Sequence, residues 1–123
     1  VDALTGAVEN IAPTAENRVA YAQRAIGNAI GQLSAPADQT TTSQILGNLN
    51  SGTLVLPFLI VNSETANEDY SNVYFPFLAL NSDGQDHFQL LGNGLFGIED
   101  LPGAQSDNDF DDVIIQITGL QMV

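Results

Sequence analysis

The chain has 123 residues, enough for one domain, and 44% of them are apolar, enough to build a core. Fifteen acidic residues stand against two arginines, a net charge of −13, which argues against nucleic acid or an anionic membrane as a partner. Cysteine is absent, so no disulfide staples the fold, and no apolar run approaches the length of a membrane span.

Residues 1–13 have mixed character with Gly6 and Pro13, and read either as a short helical turn around residues 3–8 or as an arm that orders against a partner. Thr14 is placed as an N-cap, with Glu16 near the helix start, where negative charge is favourable. Over residues 15–33 the spacing of Val19, Ala22, Ile26, Ala29 or Ile30, and Leu33 predicts an α-helix with one apolar face. Gly27 and Gly31 each weaken it by roughly 1 kcal/mol relative to alanine. With Ala35 they would let another backbone approach closely, either within the domain or on a neighbouring subunit. Residues 34–42, with Pro36 and three consecutive threonines, read as a linker, and residues 44–49 as a short helix or an edge strand.

Residues 53–61 are nearly continuously apolar, which predicts a strand buried on both faces, with Pro57 marking a bulge or an edge. A polar loop over residues 62–71 leads to a second strand at 73–80, which contains Pro76. Asn81-Ser82-Asp83-Gly84 is a turn signal of the kind that joins antiparallel strands. A third strand at 87–91, a turn at Gly92-Asn93-Gly94, a fourth strand at 95–98 and a last one at 113–118 complete the series. Short strands separated by turns predict a mainly β fold, an antiparallel β-sandwich-like domain with an added N-terminal α-helix. The chain divides into an arm and helix (residues 1–36) suited to assembly, a linker or short element (37–52), and a β domain (53–123).

Between the last two strands lies the densest chemistry. Glu99, Asp100, Asp107, Asp109, Asp111 and Asp112 crowd into one loop, and no lysine or arginine follows Arg24. Two such charges about 5.5 Å apart repel by roughly 3 kcal/mol at an effective dielectric of 20, and by about 0.8 kcal/mol in water. A hard cation relieves that repulsion, and clustered carboxylate and amide oxygens are what Ca2+ prefers. Asp107, Asp109 and Asp111 match the first three ligand positions of an EF-hand loop. However, Asp112 stands where that loop needs glycine, and Thr118 where it needs a bidentate glutamate, so this is not an EF-hand. Asp107, Asp109 and Asp112 are the first candidates as ligands and Glu99 and Asp100 the next, while Asp111 is expected to face outward by strand alternation. Asn108 is expected to help close the turn, and Phe110 is an apolar residue set among acids.

Leu95-Phe96-Gly97-Ile98-Glu99-Asp100-Leu101-Pro102-Gly103, followed by Asp107-Asn108-Asp109-Phe110-Asp111-Asp112-Val113-Ile114, resembles the signature of the DUF4114 family. Weaker likeness runs upstream through Leu56-Pro57-Phe58-Leu59-Ile60-Val61-Asn62, Val73-Tyr74-Phe75, Asn81 and Asp86-His87, so that it spans about residues 53–118. The resemblance implies a compact β-rich domain of secreted or cell-surface bacterial proteins, with calcium at the acidic loop. Asp111 departs from an asparagine usual in that pattern, and Ala104-Gln105-Ser106 replaces a more glycine-rich gap.

The remaining candidates are minor. His87 is the only histidine, which removes multi-histidine zinc sites, and its expected role is a hydrogen bond near the turn bearing Asp83 and Asp86. Asn81, Asp83 and Asp86 form a smaller oxygen-rich group that reads as a turn or a second calcium site, and Asn62 can lend an oxygen. No serine lies in a G-x-S-x-G setting, no tryptophan offers a sugar platform and no glycine loop suits phosphate, so an enzyme is not expected. A start at Val1-Asp2 reads as a processed or excised chain. The resulting expectation is a secreted or cell-surface, calcium-stabilised structural or adhesive domain. It would self-associate, or bind neighbouring surface proteins, through its arm and helix; the alternative is a calcium-dependent glycan-binding module.

Overall fold

The computed structural model describes residues 1–2, 4–34, 43–47, 49, 54–61, 65–103, 109–110 and 112–118. A 3-10 turn at Ala15–Asn17 leads into helix α1 at Arg18–Gly27, and five strands follow: β1 Leu59–Ile60, β2 Val73–Tyr74, β3 Phe88–Gly92, β4 Leu95–Ile98 and β5 Val113–Gln116. Strands β1 and β2 form one antiparallel sheet, and β3, β4 and β5 form a second in chain order. The mainly β architecture with an N-terminal helix is therefore as expected. Its β part consists, among the described residues, of two small sheets that meet across an apolar cluster.

Thr14 has the extended backbone of a cap (φ −115°, ψ 160°), but its side chain makes no cap bond. Its carbonyl accepts from Asn17 N at 3.0 Å. The helix ends at Gly27, short of the expected 33. Gly27 is a poor helix former, and Asn28 turns both its amide and its side-chain NH2 onto the Arg24 carbonyl, at 3.0 and 2.7 Å. The buried face is also shifted. Tyr21 and Ala22 are sealed, Ala25 and Ile26 are half-buried, and Val19, Ala29, Ile30 and Leu33 are exposed. At Gly31 side chains rather than another backbone come close: a Cβ there would meet the Leu46 and Gln44 side chains, and Gln32 N donates to Gln44 Oε1 at 2.8 Å. Residues 43–47 are neither helix nor strand. Gly27 has nothing near it, and Ala35 lies outside the described residues.

The N-terminal arm is folded onto the same core. The Asp2 carboxylate accepts from the amides of Leu4 and Thr5, Gly6 takes φ +73°, and Val8 pairs with Ile11 and is buried. Tyr21 donates its hydroxyl to Gly6 O at 2.7 Å and stands edge-on to Phe75 and Phe77. Val8, Tyr21, Ala22, Val73, Phe75 and Leu80 make this first cluster. Tyr74, Phe88 and Ile98 make a second, edged by Leu59, Val61, Phe96, Val113 and Ile115. Neighbours on a strand point to opposite faces, so Val73 and Tyr74 of β2 serve one cluster each.

The apolar runs yield shorter strands than expected. Of the described residues 54–61, only Leu59–Ile60 pair in a strand, and the stretch is half-buried with Leu54 exposed rather than sealed on both faces. Pro57 offers no amide to a ladder. Pro76 likewise ends β2 after two residues, and Leu78–Leu80 winds into a 3-10 turn. The Asn81 turn closes through Gly84 N to Asn81 O at 2.9 Å, but it follows that 3-10 turn instead of joining two strands. Gly94, at φ +68°, makes the β3–β4 hairpin as expected.

Tyr21 ties arm, helix and β2 together, so its removal should be costly. Tyr21→Phe is expected to lose about 1 kcal/mol from the hydroxyl bond, and Tyr21→Ala about 3–5 kcal/mol. Urea denaturation followed by circular dichroism measures both.

Candidate metal centre

The register of β4 against β5 assembles the acidic group. Ile98 stands opposite Val113, so the next residues out, Glu99 and Asp112, face each other where the strands part. Asp100 N donates to Asp112 Oδ2 at 3.1 Å and fastens that mouth. On β4, Phe96 and Ile98 point into the second cluster, which sends Gly97 and Glu99 to the opposite face. The returning loop crosses over Gly97. A Cβ there would run into the Phe110 carbonyl oxygen and Leu91, and Phe110 itself takes φ +56°. This close passage brings Asp109 beside Glu99.

One oxygen each from Glu99, Asp109 and Asp112 lie within 4.8 Å of one another. Glu99 is 1% exposed, while Asp109 and Asp112 are open to solvent. Glu99 is held from several sides. Its amide donates to His87 O at 2.9 Å, its carbonyl accepts from His87 Nδ1 at 2.7 Å, and Leu101 N donates to its Oε1 at 3.4 Å. Its Oε2 is sealed from solvent.

The charges are strained. Hydrogen bonds from the Glu99 carboxyl and the Asp100 amide hold the Asp112 carboxyl below its ordinary range. Asp100 is pushed the other way by burial and by the charge of Asp112 beside it. The two neighbouring acids are thus driven in opposite directions, as interacting carboxylates are. Burial works against the charge of Asp83. Bonds from Gln85 N, the His87 ring and Gly103 N outweigh it and keep its carboxyl below the usual range.

Of the residues expected to bind metal, the structure brings Glu99, Asp109 and Asp112 together and sets Asp100 against Asp112. Asp107 and Asp111 lie outside the described residues, as do Asn108 and Asn62. Glu99, ranked behind the loop aspartates on sequence, is the one buried acid among the described residues. The signal for it was Gly97, an interior strand glycine two positions earlier on the same face, which marks a close backbone approach. The smaller group behaves as a turn network. Asn81 is buried, accepting from Phe75 N and donating to Phe75 O and Gln85 O, and Asp86 is exposed. His87 does bond the turn, with Nε2 2.8 Å from Asp83 Oδ2.

A family model described as a domain of unknown function (DUF4114) matches residues 49–120. No curated protein and no solved structure matches the chain.

The lowered Asp83 carboxyl gives stability that is present above the ordinary aspartate range and is lost as pH falls through its folded value. Raised Asp100 acts oppositely, its contribution fading as pH rises through its folded value. Melting temperature measured from pH 7 downwards should fall steeply below about pH 4. Asp83→Asn should start lower at pH 7 and lose less over that acid range.

Proposed function

The chain belongs to the DUF4114 family, and on that footing we propose that it is a calcium-stabilised structural domain working outside the cell or at its surface. The observation that carries this reading is the convergence of Glu99, Asp109 and Asp112 oxygens within 4.8 Å, in a chain whose last cationic residue is Arg24. The donors are all oxygen. They sit on a loop and two strand ends, which suits the irregular coordination of six to eight oxygens that calcium takes better than the strict octahedron of magnesium. Water and the neighbouring Asp100 carboxylate would complete the shell on the open side.

The role of the ion is that of a clamp. It neutralises the carboxylates at the mouth of β4 and β5 and ties the loop to the strand that carries Glu99. A cysteine-free extracellular domain gains from such a staple, and millimolar surroundings suffice for a site with a dissociation constant of roughly 10⁻⁴–10⁻³ M. A structural role is supported over a hydrolytic one by His87, which is buried with both ring nitrogens committed, to Glu99 O and to Asp83. Arm and helix turn their best apolar residues onto the chain's own core. Self-association or adhesion through them would use the exposed Leu4, Val19, Ile30 and Leu33.

Calcium at a hundredfold excess over its dissociation constant should stabilise the fold by about 2.7 kcal/mol. That corresponds to a rise in melting temperature on the order of 10 °C over the chelated protein. Asp109 is exposed, so Asp109→Ala should leave the calcium-free melting temperature nearly unchanged and abolish most of the shift. Equal shifts in wild type and Asp109→Ala, or none with any divalent ion, would refute the site.

A further inference from the structure

We propose that the turn carrying Asp83 and His87 is a positioning strut for the metal loop, gripping residues 99–103 at both ends so that Glu99 is presented to Asp109 and Asp112. The inference rests on the calcium reading and adds to it two residues that touch no metal. At one end His87 holds Glu99 twice, its carbonyl accepting from Glu99 N at 2.9 Å and its Nδ1 donating to Glu99 O at 2.7 Å. A carbonyl can only accept, so Nδ1 is the donor of that bond. At the other end Asp83 Oδ2 accepts from Gly103 N at 3.0 Å, and the same oxygen lies 2.8 Å from His87 Nε2. The five residues from Glu99 to Gly103 are thus closed into a ring by Asp83 and His87.

The strut has little freedom of its own. The His87 ring is stacked on Tyr74 at 3.6 Å and 12° and is 1% exposed. Asp83 also accepts from Gln85 N, and the buried Asn81 side chain pins the same turn to Phe75 and Gln85. Gly103 fits flush, since a Cβ there would meet Gln85 Cγ. A buried imidazole beside a carboxylate is a costly way to fill space that an apolar ring would fill more cheaply. What the polar pair contributes is direction: the imidazole bonds the Glu99 carbonyl and the Asp83 carboxylate bonds the far end of the same loop, beside the main-chain bond between residues 87 and 99 that any side chain would allow. Partners that orient a ligand from behind commonly govern metal affinity without touching the ion.

The test uses the full chain and two probes, calcium itself by titration calorimetry and Eu3+ by luminescence lifetimes in H2O and D2O, which count the waters left on the ion. His87→Leu and Asp83→Ala should each weaken calcium binding by about 10–100-fold and add water to bound europium. His87→Asn restores a donor at the Nδ1 position and should recover part of the affinity. Tyr21→Phe serves as the control, since it destabilises the remote first cluster and should change neither reading. If His87→Leu fails to fold, Asp83→Asn decides: it removes the charge facing the ring and should still weaken binding. Folded variants whose calcium affinity and europium hydration match wild type would overturn the strut while leaving the metal site standing. Wild type that takes up neither ion overturns the metal site itself, and the strut with it.

Discussion

Everything near the acidic loop depends on one constraint, the pairing of β4 with β5 that sets Glu99 opposite Asp112, in a sequence with no lysine or arginine after Arg24. Glu99 is carried inside with its backbone bonded to His87, so it cannot swing into solvent to escape its neighbours. Asp112 and Asp100 respond by moving in opposite directions in acidity, and the loop above Gly97 adds Asp109 to the group. A fold that concentrates like charges at a strand mouth holds repulsion there, and a bound hard cation converts the repulsion into attraction.

The rest of the molecule supplies the rigidity that this arrangement needs. Two apolar clusters lie on either side of β2, with Val73 facing one and Tyr74 the other. Tyr74 also carries the ring of His87, so the second cluster and the acidic loop share a wall. The first cluster draws in the N-terminal arm and α1 through Val8, Tyr21 and Ala22. Both arginines are spent on fastening that N-terminal part, Arg18 to the Asp69 carbonyl and Arg24 to Glu9.

The features legible in the sequence were those set by short-range chemistry. The hairpin at Gly92-Asn93-Gly94 followed from its turn residues, the last two strands from their apolar character, and the acidic loop from its composition. Features set by tertiary contact were harder to read. Prolines 57 and 76 cut two apolar runs to two-residue strands, because an apolar run does not reveal where the ladder finds its amides. The helix stopped at Gly27 because Asn28 caps it with its own side chain, and its inner face turned on Tyr21, whose hydroxyl partner Gly6 lies far away along the chain. Glu99 ranked low because its burial depends on strand alternation, and on a loop that crosses Gly97 from the other side of the sequence. For His87, sequence placed the bond to the Asp83 turn but not the grip on Glu99, which exists only once β3 and β4 are paired.

The most direct test of the account is a crystal structure of the full chain grown with calcium. The account predicts one ion bounded by Glu99, Asp109 and Asp112, at oxygen distances of about 2.3–2.6 Å, with the buried Glu99 carboxylate among its ligands. An acidic loop that holds no ion in calcium-saturated crystals, or an ion held by exposed aspartates while Glu99 faces away from it, would contradict the account.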